Sequence, residues 1–145
     1  MLNWLKNQTL ENWANAPIVN DGETVIDAPA AEIFERLDLA SPSNALRQRG
    51  FTFGAGNPAY DIFEASDPDQ PDVTLVFEVT ESRPRKRYCY RTTARSTDKH
   101  CAVTESSCEF TIVPQKDGRH LLHLQETSTL TPGLDRNQYI LERAK

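Results

Sequence analysis

The stretch spanning residues 73–93 constrains the fold of this chain most strongly, because apolar side chains occupy alternate positions on both sides of a turn signal. Apolar residues recur at every second position from Val73 to Val79, and Tyr88 and Tyr90 continue the pattern after the turn. This period of two is typical of a β-strand with one buried face. Pro84 cannot donate to a strand ladder, so the turn is predicted around it. The stretch therefore predicts an antiparallel hairpin.

The position of each turn predicts which residues face each other across neighbouring strands. With the first turn at residues 82–85 and the second loop at residues 96–100, the aromatic and apolar side chains of three strands coincide on one face. The predicted pairs on that face are Phe77 with Tyr90, Val79 with Tyr88, Tyr88 with Cys108, and Tyr90 with Ser106. These pairs predict a sheet with one apolar face that a helix or a cavity covers.

A third hairpin is indicated by Lys116-Asp117-Gly118, which suits a three-residue turn with glycine in the left-handed conformation. This turn extends the same apolar face. The predicted pairs are Ile112 with Leu122, Phe110 with Leu124, and Cys108 with Glu126. Residues 73–126 are therefore predicted to form a four-stranded antiparallel meander.

The basic residues around the first turn have a structural explanation in this register. Arg91 is predicted opposite Glu105 and Arg87 opposite Glu109 on the outer face, where opposite charges add roughly 0.2–1 kcal/mol per pair. The chain as a whole carries a net charge of -5. A nucleic-acid partner is therefore not expected, because such proteins present a basic surface to phosphates.

The length and composition predict one domain without a membrane span. The chain has 145 residues, which suits one domain with a hydrophobic core. No run approaches the roughly 20 apolar residues of a spanning helix, and the first residues lack the apolar core of a secretory signal. Three cysteines, an odd number, argue against a disulfide framework. A cytoplasmic location is the expectation that follows.

The chain before the meander divides into an extension and the start of the domain. Residues 1–21 are predicted as an N-terminal helical extension, with a helix over residues 2–14 and a connector over residues 15–22. The single domain is predicted over residues 22–145. Its first part contains a strand at residues 23–28, a helix that starts near Pro29, and a second short helix that passes Leu46 and ends at Gly50.

The remaining elements complete a mixed α and β pattern. Residues 51–56 and 59–65 are predicted as strands around a turn at Gly56-Asn57-Pro58. Residues 66–72 are predicted as an exposed acidic loop. After the meander, Thr131-Pro132-Gly133 is predicted to start a final helix that reaches the end of the chain.

Three segments resemble the START and birch-pollen-allergen superfamily, which is also called SRPBCC or polyketide cyclase-like. VIDAPAAEIFERL, residues 25–37, resembles the strand, Ala-Pro and amphipathic helix at the start of that family. FEVTESRPRKRYCYR, residues 77–91, resembles its central strands. CEFTIVPQKDGRHLLHLQET, residues 108–127, resembles its last hairpin. The resemblance covers residues 22–141.

The resemblance implies an α+β helix-grip fold, in which a curved antiparallel sheet packs on a C-terminal helix with two short helices after the first strand. Members of the family bind lipids, sterols or polyketides in a cavity between sheet and helix, and some are enzymes or protein-interaction modules of the Hsp90-activator type. The final helix here is shorter than is usual in the family. The cavity could be left partly open, the N-terminal helix could take the place of the missing turns, or a second chain could contribute, so a homodimer is one expectation.

The sequence predicts no metal site and no cofactor. His120 and His123 are three residues apart in a strand and therefore face opposite sides of the sheet. His100 and Cys101 have no third ligand at a recognisable spacing. Glycine-rich phosphate loops and nucleophile elbows are absent from the sequence.

One polar group on the predicted inner face could carry chemistry. The predicted register puts Tyr88, Cys108 and Glu126 in one row across three strands. A carboxylate in an apolar cavity can act as a general acid or base, and a tyrosine can orient a carbonyl or a hydroxyl. The alternative is that this row only satisfies its own hydrogen bonds.

Three functions follow as hypotheses. The first is binding of a hydrophobic or amphipathic small molecule, the second is a polyketide cyclase or hydratase with Glu126 and Tyr88 as an acid–base pair, and the third is a protein-interaction module. Whether the chain catalyses a reaction is left open. The residues predicted to line the site share the inner face: Phe77, Val79, Tyr88, Tyr90, Ser106, Cys108, Phe110, Leu122, Leu124 and Glu126.

Overall fold

The fold is described here from a computed structural model, which describes residues 18–96 and 103–130. The predicted N-terminal helix, the predicted final helix, and the His100-Cys101 pair lie outside the described residues. The prediction of an extension before a single domain of residues 22–145 therefore stays a prediction.

A seven-stranded antiparallel sheet forms most of the described part of the chain. Its strands follow each other as neighbours from β2 to β7, and β1 adds at the far side of β7 to give the order β1-β7-β6-β5-β4-β3-β2. The strands are β1 (Ile18–Ile26), β2 (Thr52–Asn57), β3 (Ile62–Asp67), β4 (Gln70–Arg83), β5 (Arg87–Ser96), β6 (Val103–Pro114) and β7 (His120–Leu130).

Two short helices connect β1 to β2. Helix α1 (Ala30–Leu37) packs Ile33 and Phe34 against the sheet, as the apolar spacing predicts. Helix α2 (Ala45–Gln48) ends just before Gly50, whose φ of +99° is a left-handed conformation that glycine adopts without strain. A short 3-10 helix, Pro58–Tyr60, joins β2 to β3.

Two predicted boundaries are wrong. Residues 18–22 of the predicted connector are part of β1, which begins at Ile18 and pairs with β7 along its whole length. The acidic loop predicted over residues 66–72 is a tight turn at residues 68–69, because β3 runs to Asp67 and β4 starts at Gln70. In both places pairing with a neighbouring strand outweighs the polar, turn-prone local sequence.

The register of the third hairpin is confirmed, and that of the first two hairpins is wrong. Ile112 pairs with Leu122, and Cys108 pairs with Glu126, as predicted. Phe77, however, pairs with Thr92 instead of Tyr90, which is a shift of two residues. The corrected pairs on the inner face are Val79 with Tyr90, Tyr90 with Cys108, Tyr88 with Phe110, and Thr92 with Ser106.

A β-bulge between Val79 and Glu81 changes the register within this hairpin by one residue. The register shifts there, so that Glu81 pairs with Cys89 on the outer face, although it is two residues from the inward-facing Val79. The bulge brings the Glu81 carboxylate 2.7 Å from the Nε of Arg87. This ion pair lowers the pKa of Glu81, mainly through the hydrogen bond from Arg87.

The predicted outer-face ion pairs form despite the shifted register. Arg87 lies 3.5 Å from Glu109, and Arg91 lies 3.5 Å from Glu105. Both pairs are diagonal, because Arg87 faces Thr111 and Arg91 faces Ser107 in the ladder. Long arginine side chains reach across such diagonals, so the ion pairs do not depend on the register.

The hydrophobic core lies between the inner face of the sheet and the segment that contains α1 and α2. Phe34 of α1 meets the Tyr88 ring edge to face, with ring centroids 5.6 Å apart. The buried members of this cluster are Ile33, Phe34, Leu39, Phe63, Ala65, Phe77, Tyr88 and Ile112. The core fills one end of the inner face and leaves the other end to a cavity.

Candidate functional site

A cavity of about 330 Å³ lies on the inner face of the sheet, between strands β4 to β7 on one side and α2 with the segment that follows it on the other. Its lining combines one apolar wall and one polar wall. The apolar wall is built by Leu46, Phe51, Leu75, Phe77 and Ala94. The polar wall is built by Thr92, Ser106, Cys108, Glu126 and Ser128. Tyr90 lies between the two walls, and Arg49, Asp67 and Glu105 are the other described residues of the lining.

Three hydroxyl side chains form one row across the polar wall. Thr92 pairs with Ser106, and Ser106 pairs with Ser128, on three adjacent strands. We call Thr92, Ser106 and Ser128 the hydroxyl row. Ser128 is 2% exposed, and its hydroxyl forms no hydrogen bond to any group of residues 18–96 and 103–130. A buried hydroxyl without a partner costs about 1–3 kcal/mol, so a hydrogen bond to Ser128 from a group in the cavity would be favourable.

The next row of the polar wall contains the carboxylate of Glu126. Tyr90, Cys108, Glu126 and Asn20 face each other in this row across β5, β6, β7 and β1. The amide nitrogen of Asn20 donates to Oε1 of Glu126 at 3.3 Å, and the Cys108 thiol donates to Oε2 at 3.7 Å. These contacts orient the carboxylate along the row, beside the hydroxyl row.

Aromatic rings separate the cavity from the core. The Tyr90 ring meets Phe77 edge to face at 5.3 Å between centroids, and lies 6.0 Å from the Phe110 ring. Burial raises the pKa of the Tyr90 phenol well above its ordinary value, and the nearby Cys108 thiol adds to the effect. Tyr90 therefore stays a neutral hydrogen-bonding group in this wall throughout the physiological range.

Tyr88 lies outside the cavity, in the row that also holds Phe110 and Leu124. Its hydroxyl accepts a hydrogen bond from the backbone N–H of Leu39 at 3.0 Å. Burial raises the pKa of Tyr88 to about 12. The predicted row of Tyr88, Cys108 and Glu126 is therefore wrong, and Tyr90 occupies the place beside Cys108 that was predicted for Tyr88.

Half of the residues predicted to line the site line the cavity. These are Phe77, Tyr90, Ser106, Cys108 and Glu126. The other five share the inner face but lie toward the core, away from the cavity lining: Val79, Tyr88, Phe110, Leu122 and Leu124. The alternation of the strands identified the correct face, whereas the position of the cavity along the strands depends on where α1 and α2 pack.

The structure adds lining residues that the sequence prediction did not include. They are Leu46, Arg49, Phe51, Asp67, Leu75, Thr92, Ala94, Glu105 and Ser128. Thr92, Ala94 and Ser128 continue the alternation of Tyr90 and Glu126, so extending the same strand pattern would have found them. No comparable signal in the sequence marks Leu46 and Phe51, because their place depends on how α2 and the segment after it pack on the sheet.

Clusters that could hold a metal ion do not occur in the described part of the chain: no three His, Cys, Asp or Glu side chains come together there. In the same residues, no helix is long and apolar enough to cross a membrane.

The sequence matches neither a protein-family model nor a curated protein. The fold, in contrast, matches several solved structures. The Mll3558 protein from Rhizobium loti has a TM-score of 0.66 and 16% identity, over 88% of this chain and 90% of that one. Ara h 8.0201 has a TM-score of 0.61 and 10% identity, over 88% and 90% of the two chains. DynU16, a protein in the dynemicin biosynthetic locus, has a TM-score of 0.58 and 16% identity, over 87% of this chain and 42% of that one.

This chain has an α+β helix-grip fold, which it shares with these three solved structures. The resemblance drawn from the three sequence segments is thereby confirmed at the level of the fold. In this helix-grip fold, the curved sheet presents its inner face to the helices, and the cavity lies on that face. At such low identities the likeness concerns the fold, and the chemistry of the cavity has to be argued from this chain's own residues.

Proposed function

We propose that this chain binds a hydrophobic or amphipathic small molecule, such as a lipid or a polyketide, in the cavity on the inner face of the sheet. The observation that carries this proposal is a concave space of about 330 Å³ with an apolar wall and a polar wall. Small-molecule pockets typically span about 300–1,000 Å³, with mostly apolar linings and a few polar groups that fix orientation. The cavity suits a ligand near the lower end of that range.

One of the solved structures with a similar fold also supports a small organic ligand. DynU16 comes from a locus for the biosynthesis of dynemicin. The family that the sequence resembles includes binders of lipids, sterols and polyketides. The apolar wall of this chain, built around Phe77 and Leu75, provides the contact surface that such ligands need.

An acid–base enzyme is less well supported than a binding protein. The pair proposed for that role was Glu126 and Tyr88, and only Glu126 lies in the cavity. The Tyr88 hydroxyl accepts a hydrogen bond from the backbone N–H of Leu39, and this contact holds the segment after α1 against the sheet. An acid–base reaction at Glu126 would therefore need a second catalytic group other than Tyr88, whereas ligand binding needs no such pair.

Native mass spectrometry of freshly purified protein tests the proposal. The wild-type chain is expected to retain an apolar adduct, and the mass of the intact species also reports whether the chain is a monomer or a dimer. Ala94→Trp places an indole in the cavity from the apolar wall and is expected to remove the adduct. Thr93→Trp is the matched control, because Thr93 is the exposed outward-facing neighbour of Ala94.

The comparison of the two tryptophan variants decides the outcome. Loss of the adduct in Ala94→Trp, with retention in Thr93→Trp, supports binding in this cavity. An adduct that both variants retain equally would place the ligand elsewhere and contradict the proposal. If the wild-type chain carries no adduct, titration with naphthalene and its derivatives replaces the endogenous ligand in the same comparison.

A further inference from the structure

The hydroxyl row gives the cavity a specific hydrogen-bonding character. Thr92, Ser106 and Ser128 present three hydroxyls from adjacent strands, and each hydroxyl can both donate and accept a hydrogen bond. None of the three side-chain hydroxyls forms a hydrogen bond within residues 18–96 and 103–130. Ser128 is buried and the other two are half-buried, and buried polar groups in native proteins are normally paired with protein, water or ligand. The row is therefore suited to a ligand group that donates and accepts at once.

The charged groups around the cavity oppose an anionic ligand. The described lining residues include Asp67 and Glu126, which carry carboxylates, and Arg49, whose guanidinium lies 5.9 Å from the centre of the Phe51 ring. Glu105 also lines the cavity, but its carboxylate lies 3.5 Å from Arg91 on the outer face. Glu126 stands in the row next to the hydroxyls. A ligand carboxylate seated on the hydroxyl row would place a second negative charge beside Glu126.

A ligand with an alcohol or phenol group fits this arrangement better than a ligand with a carboxylate or an ammonium group. An ionised carboxylate on the ligand offers acceptors alone, and an ammonium group offers donors alone. A ligand hydroxyl can accept from one serine of the row and donate to the Glu126 carboxylate. An uncharged group also avoids the cost of moving an ion from water to a cavity with an apolar wall.

We infer that the cavity selects an uncharged ligand with an alcohol or phenol end, which lies on Thr92, Ser106 and Ser128 beside Glu126, with the apolar body of the ligand against Phe77 and Leu75. This inference rests on the proposed function and adds the chemical class of the ligand. It assigns the hydroxyl row as the group that orients the ligand, and Glu126 as the group that rejects carboxylates.

Four matched probes test this selectivity on the wild-type chain: 2-naphthol, 2-naphthoate, 2-naphthylmethylammonium and naphthalene. Isothermal titration at neutral pH measures their Kd values. We expect 2-naphthol to bind about tenfold or more tightly than 2-naphthoate, which corresponds to one or two hydrogen bonds plus the charge repulsion. We also expect 2-naphthol to bind more tightly than naphthalene and than the ammonium probe.

Two sets of variants locate the selectivity. Ser106→Ala with Ser128→Ala is expected to weaken 2-naphthol binding about fivefold to tenfold and to leave naphthalene unchanged. Ser107→Ala is its control, since Ser107 is exposed on the outer face. Glu126→Gln is expected to strengthen 2-naphthoate binding, and Glu78→Gln, exposed on the outer face, is its control. Thermal melts of each variant confirm that it is folded.

The outcomes separate the inference from the proposed function. Preference for 2-naphthol that falls in the serine double variant supports the inference. Equal affinity for naphthol, naphthoate and naphthalene, or tighter binding of either charged probe, overturns the inference and leaves the binding function intact. Absence of binding for all four probes, in a chain that also carries no adduct in native mass spectrometry, overturns both.

Discussion

The hydroxyl of Tyr88 accepts a hydrogen bond from the backbone N–H of Leu39, with 3.0 Å between oxygen and nitrogen. Tyr88 belongs to the centre of the sheet, and Leu39 belongs to the segment between α1 and α2. Both residues are almost fully buried. This contact fixes the helical segment against the sheet at the core end, and the cavity lies at the other end of the same face.

Replacing Tyr88 by phenylalanine tests this structural role. Tyr88→Phe keeps the ring contacts with Phe34 but leaves the Leu39 N–H buried without an acceptor, which we expect to lower the free energy of unfolding by about 1–3 kcal/mol. Urea unfolding measures this change. Tyr60→Phe is the control, because Tyr60 is 74% exposed and should change stability by less than about 0.5 kcal/mol. Equal effects of the two variants would show that the Leu39 contact does not stabilise the fold.

The raised pKa of Tyr88 predicts how the free energy of unfolding depends on pH. The pKa of Tyr88 is raised by burial to about 12, whereas in the unfolded chain the phenol titrates near 10. The neutral phenol is thus favoured by the folded state, and its contribution is fully present below pH 10 and is lost as the pH rises toward 12. We expect the free energy of unfolding to fall over this range, and to fall less steeply in Tyr88→Phe. A slope that is the same in both proteins would contradict this assignment.

Asn44 is predicted to stabilise the segment that contains α1 and α2. Its side-chain oxygen accepts from the N–H groups of Leu46 and Arg47, and its amide donates to the carbonyls of Arg36 and Leu37. Asn44→Ala removes all four bonds at a buried position and should destabilise the fold by about 1–3 kcal/mol. Asn57→Ala, at an exposed position of β2, is the control in the same urea unfolding experiment. A loss below about 0.5 kcal/mol in Asn44→Ala would contradict this role.

Ligand binding should protect Cys108 but not Cys89. Both thiols are buried, and Cys108 lines the cavity, whereas Cys89 lies on the outer face near Glu81. In a Cys89→Ser, Cys101→Ser variant, 2-naphthol at ten times its Kd should slow modification of Cys108 by methyl methanethiosulfonate about tenfold. In the Cys101→Ser, Cys108→Ser variant, the rate at Cys89 should not change. Equal protection of both thiols would indicate general stabilisation of the fold instead of occupancy of the cavity.

The sequence predicted which face each strand residue occupies better than it predicted which residues pair. Alternation assigns a residue to a face, and a slip of two residues leaves every assignment unchanged. Phe77 and Tyr90 are neighbours as expected, with centroids 5.3 Å apart, although they are not directly paired. The outward position of Arg87 and the inward position of Tyr88 are also confirmed. Correct faces were therefore compatible with an incorrect register.

The turns explain where the register could be predicted. Gly118 has a φ of +86° in the third hairpin, so the glycine in the sequence marked the turn and the register followed. In the first hairpin the left-handed residue is Arg85, with a φ of +67°, and an arginine gives no signal of that conformation. The bulge after Val79 is likewise unmarked in the sequence. The wrong acid–base pair came from the second hairpin, where the loop predicted at residues 96–100 put Tyr88 opposite Cys108 in the place of Tyr90.

The measurement that tests the central claim most directly is a set of intermolecular nuclear Overhauser effects between unlabelled 2-naphthol and the isotopically labelled chain. Binding in the cavity predicts contacts from the naphthalene ring to Phe77, Tyr90 and the methyl group of Ala94. Binding on the outer face would instead give contacts to Val25 and Val113, which are 44% and 40% exposed on that face. Contacts confined to these two valines would contradict ligand binding on the inner face.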